Sequence, residues 1–299
     1  NVFQLFEDKP LNYDAWDIDS FYQEKATVLQ ANQIRLSSNN ALYASVVFEY
    51  TFGNSQIHQE MRVYAHTQRI DFLTNVSWHE RQQLLKVNFD AAIRSTEAVF
   101  DIQYGNVKRA THANTSWQLA QFETVGHQWA DLSEKYSGVS LLNDCKYGYA
   151  VKENQLSLTL LKGAIYPDPL ADDGDHKFTY SFYAHEHDAI DGGTMEEAWS
   201  LNSPLTVING EHSWLLPLQI DCETSVTIDA IKQAETGKGW ILRLHDHTGG
   251  TRKVTLQMPS SFWQETDLME IPLNNEQWKD KVSFTLSPFE IKTFHFYLD

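Results

Sequence analysis

Carboxylates interleaved with aromatic rings are the residues of this sequence whose types and spacing first suggest chemistry. Residues 11–19 (LNYDAWDID) set Asp14, Asp17 and Asp19 around Tyr13 and Trp16. An indole covers the apolar face of a pyranose and carboxylates accept hydrogen bonds from its hydroxyls, so the pattern suits sugar recognition. The plainer alternative is an aromatic plug with solvated charges. Residues 166–176 (YPDPLADDGDH) crowd Asp168, Asp172, Asp173, Asp175 and His176 around two prolines and Gly174. Calcium favours such carboxylates, but the alternating Asp pattern and closing Glu of a calcium loop are missing. The stretch reads either as a polar turn or as a loop projected by a rigid scaffold into a binding site. Residues 111–149 add Trp117, Trp129, Asn143, Asp144 and Lys146, with Cys145 expected to be a buried, inert thiol.

His185 and His187 stand two apart, as do His245 and His247. On a strand each pair points to one face and could begin a zinc site, given a third ligand from elsewhere. Otherwise they are ordinary hydrogen-bonded histidines. No G-x-S-x-G elbow, Walker loop, H-E-x-x-H or dinucleotide fingerprint occurs. Asn75-Val76-Ser77 and Asn114-Thr115-Ser116 match a glycosylation acceptor pattern that arises often by chance.

The elements that must position these residues are strands. Runs rich in β-branched and aromatic residues recur at 41–52, 57–66, 69–78, 83–93, 97–104, 155–161, 177–185, 214–220, 225–234, 239–246, 251–258 and 281–298. Gly, Asn, Asp and Ser clusters separate most of them, the clearest turns being 104–106, 191–193, 236–237 and 249–250. One short helix is predicted over 195–201, with Thr194 as its cap and Glu197 placed for a capping box. The fold class is therefore all-β, in large antiparallel sandwiches. A boundary is expected between 202 and 220, dividing a domain over 1–215 from a small sandwich over 216–299.

The 299 residues allow about two domains. A net charge of −17 repels phosphate backbones and anionic lipid, so neither nucleic acid nor a membrane surface is an expected partner. No apolar run is long enough to span a bilayer. Two cysteines are too few for a disulfide scaffold. The chain opens NVFQLF without a Met, and the expectation is a piece cut from something longer.

Long blocks carry a resemblance. They are NVFQLFEDKPLNYDAWDID (1–19), WHERQQLLKVNFD (78–90), THANTSWQLAQFE (111–123), HQWADLSE (127–134), GVSLLNDCKYGY (138–149), YPDPLADDGDHKFTYSFYAHE (166–186) and SPFEIKTF (287–294). In this order they resemble the C-terminal β portion of the family 38 glycoside hydrolases, the α-mannosidases of the bacterial and cytosolic branch. The resemblance implies a galactose-mutarotase-like sandwich followed by a small sandwich. It implies a retaining, exo-acting, zinc-dependent enzyme whose nucleophile and zinc ligands come from an N-terminal catalytic domain and a helical region after it. None of those motifs is present, so no catalytic residue and no metal ligand is expected in this chain. Zinc belongs to the full-length enzyme and is not bound by this fragment. The implied role is to line the pocket for mannose-containing oligosaccharides of the mannan or N-glycan type and to stabilise the catalytic domain, in a cytoplasmic enzyme, with a homo-oligomer contact as a further expectation. Asp14, Trp16, Asp17, Asp172 and His176 are the expected substrate-binding residues, a reading of the loops rather than a set of family residues.

Two departures stand out. Gln118 and Gln121 replace an Asp and an Arg, as if an ion pair had become an amide pair. Lys162 replaces an Arg and so lacks its planar, bidentate fork. Two other classes remain open on sequence. One is a self-standing carbohydrate-binding module. The other is an aldose epimerase, which needs a general acid and base converging in the sandwich cleft.

Overall fold

The computed structural model describes residues 1–211, 217–222 and 226–298. It divides into two compact units, Asn1–Asp101 with Val107–Leu205, and Ile102–Asn106 with Thr206–Asp299. The boundary expected at 215/216 falls among residues 212–216, outside the described residues, as do parts of the strands expected over 214–220 and 225–234.

The first unit is a sandwich of two antiparallel sheets. One has nine strands, in the order Gln33–Asn39, Tyr43–Phe52, Ser55–Tyr64, Arg69–Trp78, Gly174–Glu186, Ser137–Asn143, Trp129–Ser133, Glu97–Ile102, Gly105–Ala110. The other has six, in the order Thr124–Val125, Gly148–Lys152, Gln155–Lys162, Gln83–Asp90, Val2–Glu7, Ala26–Val28. Alternation along each strand decides which side chains meet between the sheets. Leu85, Val87 and Phe89 point inward from one sheet and meet Ile57, Phe72, Phe178 and Tyr180 of the other. Phe89 stacks on Phe182 with centroids 5.1 Å apart, and Phe72 stacks on Tyr180 at the same distance. Each such ring, fully buried, contributes about 1.5–3 kcal/mol.

The second unit is also antiparallel, in the order Gln219–Cys222, Arg252–Thr266, Ile291–Leu298, Trp240–His245, Thr227–Gln233, with Trp278–Leu286 also on Arg252–Thr266. The long strand Arg252–Thr266 changes its partner on one edge midway. Residues 252–257 and, after a register shift, 262–263 pair with Trp278–Leu286; residues 254–257 also pair with Gln219–Cys222, and residues 261–266 with Ile291–Leu298. The break lies at Ser260, whose φ is +58°. Both halves enter one core around Trp263, Leu244, Leu256 and Phe294.

The predicted helix is present as Thr194–Asn202, but its cap differs. Gly193, in the left-handed region, precedes it and makes no side-chain cap bond. Thr194 is instead buried and pairs with the Ser140 hydroxyl at 2.7 Å. Glu197 does not close a capping box but binds Arg69 at 3.0 Å and Thr67 at 2.7 Å. A full capping box sits in a helix the strand periodicity hides, Ser116–Ala120, where Thr115 and Gln118 satisfy each other's backbone amides. Gln118 thus caps a helix rather than pairing with Gln121.

Neither histidine pair lies on one strand. Gly174–Glu186 ends before His187, whose φ is +62°, and Trp240–His245 ends before His247. His185 is buried against Asp131 at 2.7 Å and Ser140 at 3.1 Å. His245 binds Asp229 at 3.0 Å, and His247 binds Thr227 at 2.7 Å. Among the described residues no group of three or more His, Cys, Asp or Glu side chains is arranged to hold a metal ion. The side chains of the described residues thus form no ligand set for zinc.

Candidate functional site

The two acidic, aromatic loops singled out by sequence are bonded to each other. Residues 13–17 form a tight turn, in which the amides of Trp16 and Asp17 donate to the Tyr13 carbonyl at 2.7 and 2.8 Å. Tyr13 carries a φ of +54° to make it. Asp14 then reaches about 150 residues along the chain: its Oδ2 accepts from the amides of Ile165 and Tyr166. The Ala15 amide donates to the Tyr166 carbonyl at 3.1 Å. Asp19 closes the loop by accepting from the Leu11 amide at 2.7 Å.

Lys162 supports this junction from below. Its ammonium pairs with Asp8 Oδ2 at 2.7 Å and donates to the Asp17 carbonyl. Asp8 is almost fully buried. Burial pushes its carboxyl above the usual range, and Lys162 only partly offsets that. Lys162 is thus committed to holding the loop. Gly163 continues the anchor, donating to the Gln83 carbonyl at 2.8 Å and accepting from the Gln82 amide at 2.6 Å. A Cβ here would lie 2.3 Å from the Glu80 carbonyl oxygen, so the close approach requires glycine.

The far end of the second loop is pinned separately. Asp172 adopts a φ of +59°, and the His176 Nε2–H donates to its carbonyl at 2.8 Å. Asp173 binds His79 at 3.0 Å and lies 3.8 Å from Arg81.

The expected site residues therefore divide. Asp14 and His176 hold backbone. Asp17 and Asp172 are exposed, and their carboxylates make no hydrogen bond among the described residues. Trp16 is 68% exposed and meets Tyr13 edge to face, with centroids 6.5 Å apart. No hydrogen bond or ring contact joins the side chains of Asp14, Trp16 or Asp17 to those of Asp172 or His176. The junction instead runs through the backbone at 165–166. This arrangement offers an aromatic face and free carboxylate acceptors on a braced support. The acid and base that do pair at these loops, Asp173 and His79, serve as an anchor of the second loop.

Sequence reasoning missed Asp8, His79, Arg81 and Asp173 as loop anchors. Each is an ordinary charged residue until the fold shows its partner. It also missed a buried cluster on the six-stranded sheet. There Lys86 donates to Glu123 and, at 3.2 Å, to the Tyr22 hydroxyl, which itself donates to Glu123. The available signal was a lysine inside the apolar run LLKVNF. Cys145, expected to be buried, is exposed. Partial desolvation and the neighbouring Asp144 raise its thiol pKa to about 11.

Residues 1–170 match the model of the glycosyl hydrolases family 38 C-terminal domain, and residues 225–294 match that of the family 38 C-terminal beta sandwich domain. The chain is 36% identical to alpha-mannosidase G of Dictyostelium discoideum over 99% of its own length and 29% of that protein. It is equally identical to human alpha-mannosidase 2C1 over 97% of its length and 29% of that protein. It therefore spans under a third of these relatives. An α-mannosidase from Enterococcus faecalis V583 shares the fold, with a TM-score of 0.77 at 17% identity over 98% of this chain and 38% of that one. The chain belongs to glycoside hydrolase family 38, in whose C-terminal β region both of its matched segments fall.

Proposed function

We propose that the protein carrying this chain is a retaining, exo-acting α-mannosidase and that this chain builds part of the wall of its sugar pocket. The carrying observation is the braced pair of loops, which presents Trp16 with the unbonded carboxylates of Asp17 and Asp172. The α-mannosidase names of relatives at 36% identity support the hydrolase reading. In it the indole of Trp16 covers the apolar face of a mannose unit, and Asp17 and Asp172 accept from hydroxyls. Asp14 and His176 are positioning residues, holding residues 165–166 and the carbonyl of Asp172.

Retaining hydrolysis needs a carboxylate to attack the anomeric carbon and an acid to protonate the leaving oxygen, after which water releases the sugar. We assign neither role to this chain, nor the zinc, since its described side chains make no ligand set. Those groups are assigned to a catalytic domain outside this sequence, which residues 1–215 would support. Mannan or N-glycan oligosaccharides are the proposed substrates. A cytoplasmic setting fits the two cysteines, neither of which forms a disulfide.

The test is hydrolysis of 4-nitrophenyl α-D-mannoside by the full-length protein, with NMR of the first-formed anomer. Release of α-mannose is expected, with no turnover by the isolated 299-residue chain. First formation of β-mannose, or no turnover by the full-length protein, would contradict the reading.

A further inference from the structure

The six-stranded sheet has a second face whose side chains are polar yet buried. Along Gln83–Asp90, the residues alternate with the core-facing set so that Lys86 and Asn88 point away from the sandwich. Gln4 on Val2–Glu7 and Ser157 on Gln155–Lys162 lie beside them in register. Lys86, Asn88 and Ser157 are 1, 5 and 6% exposed. These side chains line a cavity of about 490 Å³, within the 300–1,000 Å³ typical of small-molecule sites. Phe6, Tyr22 and Phe122 form its aromatic wall, and the helix Ser116–Ala120 contributes Gln118 and Leu119.

The polar side chains are preset. Asn88 donates to Gln4 Oε1 and accepts from the Ser157 hydroxyl. That leaves the Gln4 amide N–H groups and the second N–H of Asn88 without partners among the described residues. The Nδ1 of His112, another lining residue, is buried and also unpartnered. A buried polar group costs free energy unless it is hydrogen-bonded, and the His112 nitrogen is such a group at this lining. Lys86 is paired with Glu123, and Lys152 and Glu153 both line the cavity.

We propose that this cavity is a binding site for a neutral monosaccharide, separate from the loops at 11–19 and 166–176. Gln4, Asn88 and Ser157 hydrogen-bond its hydroxyls, and the ring faces of Tyr22 and Phe122 take its apolar face. The site does not depend on the hydrolase reading, and its test does not use turnover.

The probes are D-mannose and D-glucose, applied to the intact protein. Soaked crystals should show a pyranose against Asn88 and Ser157, and saturation-transfer NMR should give a saturable signal. Ser157→Ala should weaken binding at least threefold and Asn88→Leu at least tenfold, with wild-type circular dichroism. The crystal soak decides if Asn88→Leu does not fold. A cavity holding only water at saturating sugar, sugar found only at the 11–19 loop, or both variants binding like wild type would overturn the proposal.

Discussion

Glu123→Gln should be among the most damaging single substitutions in the first unit, because it isolates a buried ammonium. Lys86 has 2% of its side chain exposed and Glu123 has 14%. The other polar contact of Lys86 is the Tyr22 hydroxyl, at 3.2 Å, and that hydroxyl depends on Glu123 as its own acceptor. Breaking a buried pair from one side costs about 3–5 kcal/mol. In a unit of this size that corresponds to a drop in Tm of roughly 6–20 °C. Replacing both charges, as in Lys86→Met with Glu123→Leu, should recover most of the loss, since a well-packed apolar pair is often neutral or stabilising. Burial already lowers the Lys86 pKa, against the pull of Glu123. Without the carboxylate that depression deepens. The folded state then binds fewer protons than the unfolded one below pH 10.5, so the Glu123→Gln variant should regain stability as pH rises. The assay is thermal unfolding at pH 6, 7.5 and 9. A single variant within 1 °C of wild type, or a double variant less stable than the single, would refute the reasoning.

Further outcomes follow from the same contacts. Burial opposes the charged form of His185, but Asp131 outweighs it, so its pKa is raised above 6.5. The stability it contributes is fully present below pH 6.5 and is lost as pH rises through the raised value. The Tm gap between wild type and His185→Gln should therefore shrink from pH 5.5 to 8.5, and a widening gap would contradict the assignment. Gly163→Ala should cost about 1–3 kcal/mol by unfolding, because its Cβ meets backbone rather than a flexible side chain. Asp14→Asn keeps an acceptor for the amides of 165 and 166, so it should perturb loop proteolysis less than Asp14→Ala. Equal cleavage rates would remove Asp14 from its anchoring role.

Both loops of the candidate site could be read from the sequence because Trp and Asp are conspicuous together outside a strand. Their junction could not, since Asp14 and Ile165 follow strands Val2–Glu7 and Gln155–Lys162, which the sheet brings to either side of Gln83–Asp90. Alternation placed strands such as Tyr43–Phe52, Arg69–Trp78 and Gln155–Lys162, but not Val2–Glu7, Gln33–Asn39, Gly105–Ala110, Trp129–Ser133, Ser137–Asn143 or Gly148–Lys152, and the run read over 281–298 is two strands, Trp278–Leu286 and Ile291–Leu298. The helix Ser116–Ala120 was hidden because it is one turn long and exposed, leaving no periodic apolar face. Its capping box, Thr115 with Gln118, was the signal available. Lys86 escaped notice for the opposite reason: a single charge in an apolar strand reads as solvent-facing until Glu123, 37 residues on, is folded over it.

The central claim is that the joined loops face the sugar, and kcat/KM of the full-length enzyme toward an α-mannoside tests it most directly. Asp17→Ala and Asp172→Ala each remove an acceptor worth about 1.5–3 kcal/mol if it meets a substrate hydroxyl. The account predicts a loss of at least roughly tenfold for each, with unchanged thermal stability. Wild-type kcat/KM in both variants would contradict it.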